Sequence, residues 1–175
     1  MIKREKIFFT TFPSPIGEIL ISRTSKGVNI LTFEPNKSYF FSKLENFKPF
    51  FDVIEEKKEF EREIKQLDEY FLGQRNKFDI EIDLSSGTPF CRSVWDVLYH
   101  IPYGVTLSYE EVAQRVGNKS ASRAVGQACK KNPVAIFVPC HRVIGKNKKL
   151  TGFSSGLEIK AYLLKIEGLT GFKEA

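Results

Sequence analysis

Apolar and polar positions alternate in short runs from residue 5 to residue 34, interrupted by the turn signals "PSPIG" and "SKG". That period of two, with turns at the interruptions, predicts antiparallel strands. The pattern then changes to a helical one. "EFEREIKQLDEYFLG", residues 59–73, places Phe60, Ile64, Leu67 and Phe71 at helical spacing and stops at Gly73, which predicts an amphipathic helix. "FDIEIDL", residues 78–84, alternates strictly and puts Phe78, Ile80, Ile82 and Leu84 on one face of an expected strand.

Beyond residue 85 the pattern is mainly helical. In "GTPFCRSVWDVLYHIPYG", Thr88 reads as a helix cap and Pro89 as the first turn. Phe90, Val94, Val97, Leu98 and Ile101 form the expected buried face before Pro102 ends the helix. "SYEEVAQRVG" opens with Ser108 and Glu111 in capping-box spacing and closes at Gly117; "SASRAVGQACKKN" follows after a short turn. Two short helices joined this tightly predict a helix-turn-helix. The small residues Ala121, Ala124, Gly126 and Ala128 give the second helix a slim surface, suited to a nucleic-acid groove or to close packing inside the protein. The chain thus reads as α+β, with an N-terminal structural α/β domain over 1–85 and a mostly helical domain over 86–175.

A chain of 175 residues, 42% hydrophobic, can bury one substantial core or two small ones. No run of about 18 apolar residues occurs and the amino-terminal stretch "MIKREKIFFTTF" has no signal-peptide pattern, so a cytoplasmic protein with no membrane association is expected. Cys91, Cys129 and Cys140 are odd in number and lack CxxC spacing, which predicts reduced thiols. With only His100 and His141 to add, no metal site is expected.

Charge alters the picture more than composition does. The net charge is +6, but from Val112 to Leu157 there is no acidic residue. Arg115, Lys119, Arg123, Lys130, Lys131, Arg142, Lys146, Lys148 and Lys149 lie within that stretch, leaving 18 basic residues against all 21 acidic ones elsewhere. A single-sign segment of this length favours a polyanion partner.

At its centre lies "FVPCHRVIGK", residues 137–146. A thiol attacks as thiolate, and a neighbouring imidazole can take its proton near neutral pH. "PVAIFVPC" reads as a short buried strand or extended segment with Cys140 at its end. Adjacent residues of an extended chain point to opposite sides, so a kink or a bridging water must link His141 to the sulfur. A cysteine protease draws its base from a distant part of the chain, so the adjacency argues against one. On these residues alone, an inert core cysteine is the alternative to a nucleophile.

"NPVAIFVPCHRV" followed by "TGFSSGLEIKAYLLKIEG" resembles the active-site region of the O6-alkylguanine-DNA alkyltransferases, the methylated-DNA–protein-cysteine methyltransferases. The similarity extends through "GTPFCRSVWDVLYHIPYG", "TLSYEEVAQRVG" and "ASRAVGQACKKNP" to "SPIGEILI" and "QLDEYFLGQ", nearly the whole chain. The resemblance implies a ribonuclease H-like α/β roll followed by a winged-helix-like DNA-binding and alkyl-acceptor domain. It implies single-turnover repair of O6-alkylguanine, and of O4-alkylthymine, in double-stranded DNA by a monomer that needs no cofactor.

Residue by residue, the resemblance assigns Cys140 as alkyl acceptor and His141 as the base that takes its proton through a water. Glu167 is the carboxylate that orients the histidine, Tyr109 the phenol that protonates the leaving guanine, and Asn132 the brace of the active-site turn. Arg123 matches the finger inserted into the minor groove when the nucleotide is flipped, with Ser122, Ala124, Gly126, Lys130 and Arg142 as further DNA-binding positions. Pro139, Val143, Phe153, Ser154 and Ser155 match the guanine pocket. Two departures stand out. The zinc ligands of some members are missing, and the family's Tyr-Ser-Gly-Gly loop reads "FSSG" here. A non-enzymatic helix-turn-helix or lesion-recognition protein is the alternative, but a lesion-binding relative would replace the acceptor cysteine, and a regulator is expected to carry a further ligand-sensing domain for which 175 residues leave little room.

Overall fold

The structure, a computed structural model, describes residues 4–173. The chain divides into two compact units, Met1–Asp83 and Leu84–Ala175. In the first, β1 (Lys6–Ser14), β2 (Gly17–Thr24) and β3 (Gly27–Phe33) form the expected antiparallel meander. A fourth strand, β4 (Asp52–Glu55), pairs parallel with β1, giving the order β3-β2-β1-β4. A parallel neighbour needs a crossover, and α1 (Lys37–Phe47) supplies it. Its Phe40 and Leu44 bury against Ile7, Leu20 and Ile30 of the sheet.

Helix α2 (Glu61–Phe71) forms where the periodicity predicts, but its buried face is rotated. Leu67 is buried together with Glu63, Gln66 and Tyr70, whereas Ile64 and Phe71 are half-buried. Gln66 exchanges two hydrogen bonds with the Asp79 backbone, and the Tyr70 and Phe78 rings lie 5.4 Å apart.

The expected strand over 78–84 is not formed. Phe78, Ile80 and Ile82 are half-buried and the intervening Asp79 and Glu81 exposed, but the segment pairs through one isolated parallel bridge, Val28 with Ile82. Gly27 permits that approach: its φ is +135°, and a side-chain carbon there would lie 2.4 Å from the Glu81 carbonyl. The alternation signals a half-buried extended segment, which here meets β3 only at its first residues.

In the second unit, α3 (Pro89–Tyr99) starts as expected, with the Thr88 hydroxyl accepting from the Cys91 N–H at 3.2 Å. Its buried face is Cys91, Val94, Trp95 and Leu98; Phe90 is exposed and Val97 half-buried. The Trp95 indole accounts for this rotation, since it donates to the Ala128 carbonyl at 2.9 Å and ties α3 to α5 (Ser122–Lys130). Between them, α4 (Tyr109–Arg115) carries the full capping box: Ser108 Oγ accepts from the Glu111 N–H, and the Glu111 carboxylate accepts from the Ser108 N–H. The predicted pair of short helices is therefore present. Strands β5 (Leu107–Ser108) and β6 (Val143–Ile144) pair in parallel, and α6 (Leu157–Ile166) completes the unit.

Candidate active site

The expected extended segment "PVAIFVPC" is instead a buried series of turns. Ile136 has φ +68°, Val138 N–H donates to the Val134 carbonyl at 2.9 Å, and Cys140 N–H to the Val138 carbonyl at 2.8 Å. Residues Cys140–Arg142 then form a single 3₁₀ turn. Adjacent side chains no longer alternate, so the kink that the Cys-His adjacency demands is present.

Asn132 holds this turn. Its amide Nδ2 donates to the Val138 carbonyl at 2.8 Å and to Cys140 Sγ at 3.1 Å, while Oδ1 accepts from the Val134 N–H at 3.1 Å. The sulfur is buried, at 8% exposure for the residue. Burial pushes the thiol's pKa up, opposed by the Asn132 hydrogen bond and the positive charge of Lys160.

His141, next to Cys140 on the same turn, and Glu167 are both buried and joined by a 2.8 Å hydrogen bond between Nε2 and Oε1. Burial works against the Glu167 carboxylate, but the hydrogen bonds and charges of His141 and Arg142 outweigh it and hold its pKa at about 2. An ionised carboxylate can only accept, so Nε2 carries the proton and Nδ1 presents its lone pair. Nδ1 is buried and has no hydrogen-bond partner among the described residues. Burial also lowers the His141 pKa, against the raising influence of Glu167, so the imidazole is a neutral base.

Arg142, expected at the DNA surface, is instead buried. Its Nε donates to Glu167 Oε2 at 2.9 Å, Nη2 to Oε1 at 3.0 Å and Nη1 to the Ile101 carbonyl, and the residue is 6% exposed. A guanidinium placed next to a reactive histidine in sequence reads as surface charge, yet here it balances a buried carboxylate supplied 25 positions later. Glu167 Oε2 also accepts from the Gly104 N–H at 3.1 Å.

Tyr109, the first residue of α4, donates its phenol to the Thr151 carbonyl at 3.0 Å. Burial pushes its pKa up to about 12, so it remains a proton donor at neutral pH. Beside it, on the same Thr151 carbonyl, lies a group that sequence reasoning missed. The Lys160 side chain is fully buried, and its Nζ donates to the carbonyls of Val143 at 2.6 Å and Thr151 at 2.8 Å. It also lies 5.9 Å from the Tyr109 ring centroid. Burial brings its pKa down to about 8, against the raising influence of the Cys140 and Cys129 thiols. The signal was available: Lys160 sits three and four residues from the buried Leu163 and Leu164, a charge on the apolar face of α6.

The remaining positions divide by exposure. Arg123, Ala124 and Lys130 are exposed on α5, and Ser122 is half-buried. Gly126 is half-buried and faces the Tyr109 ring, where a side-chain carbon would make an ordinary contact at 3.8 Å. Pro139, Val143 and Ser155 are buried, Phe153 is half-buried and Ser154 exposed.

A thiol on a braced turn, backed by a neutral histidine, an ionised carboxylate and a protonated phenol, is equipped for nucleophilic displacement with general acid and base. The comparisons with known proteins agree with that chemistry. Residues 7–84 match the ribonuclease-like domain, and residues 89–169 the DNA binding domain, of 6-O-methylguanine DNA methyltransferase. The chain is 47% identical over 163 residues to the methylated-DNA–protein-cysteine methyltransferase of Methanosarcina acetivorans, covering 93% of this chain and 99% of that protein. It is 41% identical over 173 residues to the constitutive enzyme of that name from Bacillus subtilis, covering 95% and 98%. The Mycobacterium tuberculosis OGT crystal structure in complex with DNA superimposes with a TM-score of 0.78 at 38% identity, covering 91% of this chain and 92% of that one. By its matched domains, its relatives and its fold, the chain belongs to the 6-O-methylguanine DNA methyltransferase family.

Proposed function

We propose that this protein repairs alkylated DNA by moving the alkyl group from O6 of guanine to the sulfur of Cys140, once per molecule. The observation that carries the proposal is the Cys140 thiol held by Asn132 at 3.1 Å on the same 3₁₀ turn as His141, which is bonded to the buried Glu167. The thiol proton passes to His141 Nδ1 through a bridging water, and Glu167 stabilises the imidazolium that forms. The sulfur attacks the carbon bonded to O6; the S–C bond forms as the C–O bond breaks. Tyr109 gives its proton to the departing guanine, which would otherwise leave as an unneutralised anion. The same displacement applies to O4-alkylthymine.

The product is a thioether, which offers neither a carbonyl for water to attack nor a good leaving group, so the protein is consumed. The base must leave the stack to reach a buried sulfur. The exposed position of Arg123 on the second helix of the helix-turn-helix supports its entry into the gap left by the flipped nucleotide. Nucleophile, base, orienting carboxylate and acid all come from one chain, which supports action as a monomer. The need for a reduced thiol supports a cytoplasmic setting.

Replacing the nucleophile tests the proposal. Cys140→Ala should abolish transfer from O6-methylguanine DNA while retaining duplex binding. Transfer that persists in this variant would place the acceptor elsewhere, with Cys91 and Cys129 the other thiols of the chain.

A further inference from the structure

We infer that the loop Gly145–Lys149, braced by the carboxy-terminal segment, is a second phosphate-binding element that grips the DNA backbone across the pocket from α5. The inference rests on the reading of the protein as a DNA alkyltransferase and adds a contact surface to it.

The first observation is a concentration of positive charge that is only partly balanced. Lys146, Lys148, Lys149 and Lys173 are all exposed. Lys146 pairs with Glu110 at 2.8 Å, but Lys148, Lys149 and Lys173 have no acidic partner among the described residues. Main-chain bonds press these three together: Lys149 and Lys173 form a parallel bridge, Lys173 N–H donates to the Lys148 carbonyl at 3.0 Å, and Leu150 N–H to the Lys173 carbonyl at 2.9 Å. Three like charges gathered by the backbone repel one another until an anion arrives.

The second observation is backbone strain at the same place. Asn147 and Lys148 have φ of 58° and 59°, the left-handed region that residues with side chains rarely occupy. Asparagine tolerates it; lysine has no such compensation. The loop is nonetheless fixed, because Gly145 N–H donates to the Lys149 carbonyl at 2.8 Å and the carboxy-terminal segment packs Leu169 and Phe172 onto Ile144, Leu150 and Leu164. Strain held in place by surrounding contacts is a mark of functional segments.

The third observation gives the direction. Tyr109 stands between Gly126 of α5 and Gly152, three residues beyond this loop, and Glu110 beside it holds Lys146. The segment that runs on from the loop and α5 therefore both meet the Tyr109 side chain. A duplex following the exposed stripe of Arg123 and Lys130 that delivers a base past Tyr109 brings its backbone to Lys148 and Lys149.

The test compares duplex affinity across a salt series for the wild type, the Lys148→Ala/Lys149→Ala double variant and Lys148→Gly. Each lost phosphate contact should lower the slope of log affinity against log salt by about one, so by about two in the double variant. Lys148→Gly removes one charge and the strain together; it should lower the slope by about one with a melting temperature no lower than the wild type's. An unchanged slope overturns the inference. Single-turnover reaction with free O6-benzylguanine, which has no phosphates, is the control for the pocket. A loss there as large as on duplex assigns the lysines to holding the pocket loop and overturns it too. Should the wild type itself neither bind duplex nor accept an alkyl group, the reading of function fails, a result distinct from either variant outcome.

Discussion

Replacing Glu167 by glutamine removes one negative charge from a site where four hydrogen-bond donors converge: His141 Nε2, Arg142 Nε and Nη2, and the Gly104 N–H. The carboxylate's pKa falls from 4.5 for a free side chain to about 2 in the fold. At about 1.4 kcal/mol for each tenfold change in proton affinity, that difference corresponds to about 3 kcal/mol of folding stability. The Glu167 side chain is fully buried, so solvent does not screen the interaction. Breaking a buried pair by removing one partner costs a comparable ~3 to 5 kcal/mol, because Arg142 is left without its counter-charge. For a chain of this size about 1 kcal/mol moves the melting temperature by roughly 2–4 °C, so Glu167→Gln should lower it by roughly 6–12 °C at neutral pH. The sign with pH follows from the depressed pKa. The stabilisation is complete above about pH 4.5 and disappears as pH falls through about 2, so wild type and variant should converge in strong acid. Single-turnover transfer should slow by up to about a hundredfold as His141 loses its orienting partner, and its pH profile should move. Thermal melts over a pH series, read beside single-turnover rates, make the measurement. Equal melting temperatures at pH 7 would show that the Arg142–Glu167–His141 arrangement contributes no net stability, and an unmoved pH profile would separate Glu167 from the base.

Lys160→Met keeps the length of the side chain and removes its charge; the thiol's ionisation should move to higher pH and reaction near pH 7 should slow, since Lys160 acts to lower the Cys140 pKa. An unchanged pH–rate profile with free alkylated base would refute that role. Arg123→Ala should slow repair of duplex far more than reaction with free alkylguanine, because only the duplex requires base flipping; equal losses on both would make Arg123 a support of the fold. Ser155 is buried, at 6% exposure, where the family pattern has glycine. Ser155→Gly should raise the ratio of benzyl to methyl transfer by on the order of tenfold to a hundredfold, and a constant ratio would show that Ser155 does not shape the pocket.

What was legible in the sequence is what local chemistry encodes. Thr88, Ser108 and Glu111 cap helices through contacts within three residues, so their spacing suffices. The meander of β1 to β3 follows from alternation and turn signals. Strand β4 was not read: four residues, two of them acidic, give almost no alternation, and its pairing with β1 spans more than forty positions. The faces of α2 and α3 were misplaced because Glu63, Gln66 and Trp95 bury through particular distant partners, which hydrophobic spacing does not register. Arg142 and Lys160 follow the same rule. Each is a cation whose acceptors lie 9 to 41 positions away, so sequence alone counts it as surface charge. The turn at Val134–Pro139 was hidden as well, since a run of buried apolar residues reads as a strand whatever its dihedral angles.

The central claim is a stoichiometric transfer to one sulfur. The direct measurement mixes the protein with a molar excess of duplex containing O6-methylguanine, follows lesions lost, and weighs the intact protein and its peptides. The account predicts one methyl group per molecule, on the peptide carrying Cys140, with repair halting when the lesions removed equal the protein added. Continued turnover beyond one lesion per molecule, or a methyl group on the Cys91 or Cys129 peptide, would contradict it.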